Sequence, residues 1–458
     1  MEIEKMPDIL FAQRNFFAKG NTKEYAFRLD ALKKLRSEIV KREKDIAAAL
    51  QKDLGKSEFE AYETETGMVL SELGLFIKNL KKWTKPRKAK TSMLNFPAKG
   101  WIYPEPYGST LIFSAWNYPF YLLLTPLIGA IAAGNCAVLK PSELAPNTAA
   151  LTEEILSGLF PAEYISIFQG GAETAKALLA EKFDAIFFTG GSELGRVVME
   201  AASKNLTPVV LELGGKSPCV VDKTADITLA ARRIAWGKYL NAGQTCVSPD
   251  YILVDKEVKE ALMKELKKNI FDFFGSEPRQ SQDYPRIVNE KHFDRLQNLL
   301  AGENIYCGGD SDRAEKYIAP TLIDSPAPDS LVMTQEIFGP LLPVIAMDSF
   351  NAAVDFINER PKPLALYLFA RDKAKISELA NRTSSGGICV NDTIVHLSNP
   401  SMPFGGVGES GMGSYHGKHS FDAFTHYKPV MIKSNLMDIK TRYAPYGNKL
   451  KMLKKLLG

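Results

Sequence analysis

From Pro106 to Leu139 the chain carries no charged side chain, and a fold that accepts this run must either cover it on every side or place it in lipid. Its length suffices for a bilayer, which needs about 20 apolar residues. The run is nevertheless too broken to span one. Gly108, Pro119, Pro126, Gly129 and Gly134 divide it, leaving "STLIFSA" and "NCAVLK" as short apolar segments around a helix-like "YLLLTPLIGAIAAG". This is the pattern of a buried βαβ unit, whose strands lose polar/apolar alternation because both faces are covered. Strand and helix signals go on alternating from Ser109 to Glu212, through "LIFSA", "AVLK", "ISIFQG", "AIFFTG" and "PVVLELGG". A second alternating region, 212 to 408, contains "YILVD", "LLPVIAM", "LALYLFA" and "GGICVND". The expected fold class is α/β, with a Rossmann-like, mainly parallel sheet followed by a second α/β domain.

The flanks of this alternation read differently. The first ~85 residues are charged with helical spacing, and "EYAFRLDALKKLRSEIVKREKDIAAALQKDL" and "TETGMVLSELGLFIKNLKKWTKP" predict two surface helices, the second stopped by Pro86. Gly, Pro and aromatic residues in "KTSMLNFPAKGWIYPEPYGSTLIFSAWN" predict an extended hairpin, and "THYKPVMIKS" a late strand. Exposed strand edges of this kind need a partner, so a homodimer is expected through them. The expected organisation is 1–88 with 108–211 as one domain, to which 409–424 returns, 212–408 as a second, 89–107 with 425–436 as an oligomerisation arm, and 437–458 as a tail.

Charge argues against nucleic acid. The chain carries +4 in all, while 437–458 holds six Lys/Arg against one Asp, +5, which leaves the rest at −1. The end, "NKLKMLKKLLG", is a short basic amphipathic pattern with Leu450, Leu453, Leu456 and Leu457 on one side. A terminal helix packed on its own protein or left in solvent, and weak reversible contact with an anionic membrane, are both open readings. Cys136, Cys219, Cys246, Cys307 and Cys389 are scattered without a C-x-x-C pair, which fits a reducing compartment. The N-terminus lacks a signal-peptide apolar region, so a cytoplasmic setting is expected.

Three short stretches hold chemistry-bearing residues. In "FFTGGSELGR" an apolar strand ends in Gly190 and Gly191, and a helix opens at Ser192 before Gly195. Free N–H groups at such a start favour a phosphate, though a plain strand-to-helix turn has the same appearance. "LKPSE" ends another strand with Lys140 and Glu143, a pair able to grip ribose hydroxyls at a strand C-terminus; the alternative is a helix start capped by Ser142. "NAGQTCVSP" places Cys246 in a small-residue, loop-like setting. Cys136 and Cys389 lie in apolar runs and read as inert core residues.

Taken together, "SAWNYPF", "KPSE", "FFTGGSELG", "LELGGKSP", "GQTCV", "EIFGP" and "PFGGVGESGMG" resemble, in order and over nearly the whole chain, the NAD(P)-dependent aldehyde dehydrogenase superfamily, most of all its class 3, dimeric branch. The resemblance implies oxidation of aliphatic or aromatic aldehydes to carboxylic acids. It makes Cys246 the nucleophile, Asn117 with the Cys246 backbone N–H the oxyanion donors, and Glu212 the base that activates water. It makes 212–408 the catalytic domain. For the cofactor it implies Trp116, Lys140, Glu143, Gly190, Gly191, Ser192, Gly195 and Leu213, with Glu336 on the nicotinamide ribose and Phe338 walling the ring. Where the family usually has Ser at the second position of the phosphate turn, this chain has Gly191. The carboxylate of Glu143 favours NAD slightly over NADP, although Lys140 offers compensating charge. Tyr118, Phe120, Trp236 and Phe404 would suit an apolar funnel to Cys246 or, equally, the core.

Two other functions compete. A coenzyme A-acylating aldehyde dehydrogenase would release a thioester, but that branch typically lacks the carboxylate found at Glu212. A non-catalytic scaffold protein would have no need of Cys246, Glu212 and Asn117 together. The spacing of His416 and His419 suggests a metal only superficially, since no carboxylate or cysteine cluster completes a site, and no metal is expected.

Overall fold

A computed structural model describes residues 3–457. The uncharged run folds as its interruptions require: strand Ser109–Phe113, helix Tyr121–Ala133 and strand Cys136–Lys140, with every residue of the three buried. Pro126 sits inside this helix, and Gly129 faces helix Lys418–Ala423 so closely that a Cβ there would lie 2.7 Å from the Ser420 carbonyl oxygen.

The five strands expected between 109 and 212 form one sheet, in the order Val209–Glu212, Ala185–Thr189, Ser109–Phe113, Cys136–Lys140, Ile165–Ile167, all parallel. Gly411–Met412 adds an antiparallel edge beside Glu212. The chain builds outward from Ser109–Phe113 on one side and then returns to its other side. The strand ends at Phe113, Lys140 and Thr189 therefore surround a topological switch point, where open α/β sheets form a ligand crevice.

The second sheet has seven strands, in the order Ile305–Cys307, Thr321–Asp324, Leu341–Met347, Tyr251–Asp255, Pro218–Val221, Ala365–Phe369, Gly387–Val390. All neighbours are parallel except the first pair. Pro218–Val221, Ile305–Cys307 and Thr321–Asp324 were not distinguished in the sequence. Each is four residues or fewer.

Two expectations for the N-terminal segment are corrected. The first predicted helix is two, Tyr25–Lys41 and Glu43–Leu54, broken where Arg42 leaves helical geometry and is held by Asp45 and Glu154. A further helix, Met6–Ala18, precedes them. The second predicted helix is no mere surface element: Glu58–Ala61 passes through a π-helical turn, Tyr62–Thr66, into Gly67–Trp83, which buries Val69, Leu73, Phe76 and Leu80.

The hairpin and late strand join as a three-stranded antiparallel sheet, Arg87–Ala89, Ala98–Pro106, Thr425–Lys433. Met93, Phe96, Met431 and Ile432 are exposed on and around it. Leu450–Leu457 is helical. Among its described side chains Leu450 and Leu453 are 59% and 48% exposed, while the side chains of Leu456 and Leu457 lie outside the described residues. Among the described residues, no helix is long and apolar enough to cross a membrane.

Candidate active site

Helix Ile227–Tyr239 ends in a turn where Asn241, Ala242 and Gly243 all take positive φ, 51°, 50° and 74°. Left-handed geometry at Asn241 and Ala242 costs energy, and a Cβ on Gly243 would strike the Gly339 carbonyl at 2.2 Å. The turn is fixed from inside by Gln244, which donates to the carbonyls of Asn241 (3.1 Å) and Arg286 (3.0 Å) and accepts from the Val288 N–H. Two residues on, Cys246 is half-buried in the wall of a cavity of about 270 Å³.

That thiol is not an anion at rest. Burial, then the Glu336 and Glu212 carboxylates, push it up to about 12, against the pull of the backbone N–H groups of Cys246 and Val247. Glu212, the last residue of its strand, is 2% exposed, and neither of its oxygens has a hydrogen-bond partner among the described residues. Burial raises it well above the usual carboxylate range. A buried carboxyl without donors is costly and held for a purpose other than stability.

Asn117 follows the strand Ser109–Phe113 and reaches the same place. Its Nδ2 donates to the Gln244 carbonyl at 3.0 Å, which leaves the second hydrogen of that amide free. The neighbouring Tyr118 hydroxyl meets the Thr245 Oγ1 at 2.5 Å. Of the expected funnel residues, Tyr118, Trp236 and Phe404 line the cavity with Cys246. Phe120 does not. It is fully buried in the core at the cap of helix Tyr121–Ala133, where its backbone N–H is taken by Glu65.

Several cavity residues went unrecognised. Glu63, Thr64 and Met68 come from the π-helical turn and the helix after it, and in the sequence they read as a solvated helix face. His416 lines the wall, stacked on Phe404, with its ring nitrogens at 2.8 Å from the Tyr121 hydroxyl and the Leu397 carbonyl. Burial pushes it down to about 4, so it is a neutral wall residue at physiological pH.

A second cleft, about 480 Å³, is lined by Ser192, Gly214, Lys216, Glu336, Lys362 and Glu409 among others. Helix Ser192–Ser203 starts here with Gly191 at its N-cap, and nothing stands within 4 Å of a Cβ built on Gly191. Its departure from the family pattern thus leaves open space rather than a clash. Gly195 packs on Leu213, where a Cβ would come within 2.7 Å. Glu336 accepts from the Gly215 N–H at 3.0 Å and is pushed up to about 7 by burial. Phe338, at φ 47°, meets Trp116 edge-on at 5.3 Å, and Trp116 in turn lies against His292. Lys140 donates to Glu143 at 2.8 Å. Ser142 caps no helix: it accepts from the Leu144 N–H, and the next helix starts at Pro146 without a side-chain cap.

Residues 11–430 match the sequence profile of the Aldehyde dehydrogenase family. The chain belongs to that family. It is 49% identical over 97% of both chains to 4,4'-diaponeurosporen-aldehyde dehydrogenase of Staphylococcus aureus. It is 44% identical to a dimeric NADP-preferring aldehyde dehydrogenase of Canis lupus familiaris, over 97% of this chain and 98% of the relative. A solved structure of the substrate-bound state of Staphylococcus aureus AldH superposes with a TM-score of 0.97 at 48% identity, covering 99% of both chains. The protein is thus an aldehyde dehydrogenase of the class 3 type, oxidising aldehydes to carboxylic acids with NAD or NADP. The cleft suits such a cofactor: it opens on a helix start with unobstructed backbone at Gly191, where free N–H groups favour a phosphate.

Proposed function

We propose that Cys246 is the nucleophile of this dehydrogenase, with Asn117 and the Cys246 backbone N–H as oxyanion donors and Glu212 as the base for hydrolysis. A bare carbonyl carbon cannot release hydride without leaving an acylium ion, so the Cys246 thiol gives up its proton to solvent and the sulfur adds first. The new S–C bond turns the carbonyl oxygen into an alkoxide, which the free hydrogen of the Asn117 amide and the Cys246 N–H stabilise. Bound in the cleft, the oxidised nicotinamide supplies the hydride acceptor and a positive charge that favours the anionic forms of nearby groups. The thioester left on Cys246 is then attacked by water whose proton passes to Glu212 in its ionised form; the S–C bond breaks, Glu212 returns that proton to the departing sulfur, and the acid leaves with the thiol and the carboxylate restored.

The observation that carries this reading is Glu212, buried against the thiol's environment with two unused oxygens. Glu212→Gln is expected to give one equivalent of NADH per site in a burst, then turnover slower by about 10²-fold or more. Steady turnover at the original rate would sink the hydrolytic role.

Trp116, Gly190, Gly191, Ser192, Gly195, Leu213, Glu336 and Phe338 hold the cofactor. The Glu143 carboxylate favours the free 2′-hydroxyl of NAD, with the preference softened by Lys140 beside it. Tyr118, Trp236 and Phe404 receive an apolar aliphatic or aromatic tail, a reading supported by the apolar lining around Cys246. Dimerisation through 89–107 and 425–436 is supported by the exposed Met431 and Ile432 on an edge strand. Free, scattered cysteines fit a cytoplasmic enzyme, and the basic terminal helix with Leu450 and Leu453 exposed supports weak contact with an anionic membrane.

A further inference from the structure

The main-chain carbonyl of Asn117 is gripped from two sides. Lys56 Nζ donates to it at 3.1 Å and Asn241 Nδ2 at 2.8 Å. Lys56 is wholly buried and its other contacts are equally specific: Glu65 Oε1 at 2.6 Å, also wholly buried, and the face of the Tyr118 ring at 4.1 Å. The second oxygen of Glu65 accepts the backbone N–H groups of Phe120 and Tyr121 at 2.9 and 3.1 Å. One ion pair therefore holds the chain from the carbonyl of the oxyanion donor to the start of the helix that follows it. Its partner Asn241 is fixed in turn by Glu60, which accepts the Asn241 N–H at 2.9 Å.

The π-helical turn explains how one short segment supplies both acids. On an α-helix, residues five apart point about 140° away from each other. With an i→i+5 turn at Tyr62–Thr66, Glu60 and Glu65 both turn inward, while Glu63 and Thr64 reach the cavity.

We propose that Lys56, held by Glu65, is a positioning residue for the oxyanion donor: it locks the Asn117 peptide so that the side-chain amide is aimed before the aldehyde arrives. This rests on the oxyanion role given to Asn117 above. A buried ion pair is a poor source of stability compared with an apolar pair of the same shape. Its use here is orientation, since a donor acts only when already aimed.

The test combines Lys56→Met with Glu65→Gln, which removes the charges together and keeps volume and an oxygen for the Phe120 and Tyr121 N–H groups. The pair is made in the native enzyme and in Asn117→Ala. In the native background kcat is expected to fall about tenfold with KM within about twofold, and in Asn117→Ala the further loss is expected to be less than about twofold. An equal loss in both backgrounds, or none in either, overturns the proposal. Should the double variant not fold, Lys56→Met alone, which leaves a carboxyl able to take a proton rather than an unpaired buried ammonium, is judged by the same comparison, with a loss of about threefold expected in the native background only. If Asn117→Ala itself turns over at the native rate, the oxyanion reading fails, whatever Lys56 does.

Discussion

Glu212, proposed above as the base, carries a liability as well. A carboxyl whose folded pKa lies above its unfolded value favours the folded state less as pH rises: the unfolded chain releases its proton near pH 4.3, while the folded one keeps it until the raised value is reached. The penalty is absent below the unfolded pKa and grows by about 1.4 kcal/mol per pH unit until the folded group ionises. Glu212→Gln has no proton to lose. Its melting temperature is therefore expected to match the native enzyme near pH 4.5 and exceed it by about 2 °C or more at pH 8. Equal melting temperatures at both pH values would mean that the carboxyl is not desolvated. The residues of this site stood out in the sequence because their chemistry is unusual for their surroundings: a cysteine in a loop, an acid ending an apolar strand. Lys56, Glu60 and Glu65 did not stand out, because a charged residue in "KSEFEAYETE" has the composition of a solvated helix face.

At the level of elements, period and punctuation revealed most of the scaffold, while irregular pieces escaped. The five parallel strands around the switch point, three to five residues each, lie within longer apolar stretches such as "LIFSA" and "AIFFTG", and all were legible. The π-helical turn was not, since one extra residue per turn leaves no mark on a spacing pattern that already looks helical. Gly67 is its signature in three dimensions: a Cβ there would lie 2.7 Å from the Tyr62 carbonyl oxygen and 3.0 Å from its ring. Replacing glycine with alanine in a helix normally stabilises by up to about 1 kcal/mol. At Gly67 the sign is expected to reverse, with Gly67→Ala losing about 1–3 kcal/mol in denaturant unfolding as the turn is pushed off its geometry. Gly74, on the same helix with nothing within 4 Å of its Cβ, provides the control: Gly74→Ala should be neutral or stabilising. Matching effects at both positions would show that the turn does not depend on the missing methyl.

Across the whole molecule, the C-terminal segment stands apart energetically. The hydrogen bonds formed by the side chains of Arg442, Tyr443 and Lys449 stay within residues 438–449, and the helix that follows exposes Leu450, Met452 and Leu453 beside Lys451, Lys454 and Lys455. Removing 437–458 therefore takes away neither core nor site residues, and kcat on a water-soluble aldehyde should stay within about twofold, with melting unchanged to about 1 °C. What should change is contact with membranes. Basic residues near an anionic bilayer contribute about 1 kcal/mol each, so Lys451→Gln, Lys454→Gln and Lys455→Gln together should weaken co-sedimentation with phosphatidylserine vesicles about 10²-fold at low salt, and truncation should abolish it. Because such attraction is screened, the full-length enzyme should also leave the vesicles at high salt while remaining active. If the intact chain does not sediment with anionic vesicles at low salt, or does so equally well without 437–458, the tail has no membrane role, and its exposed leucines need another partner.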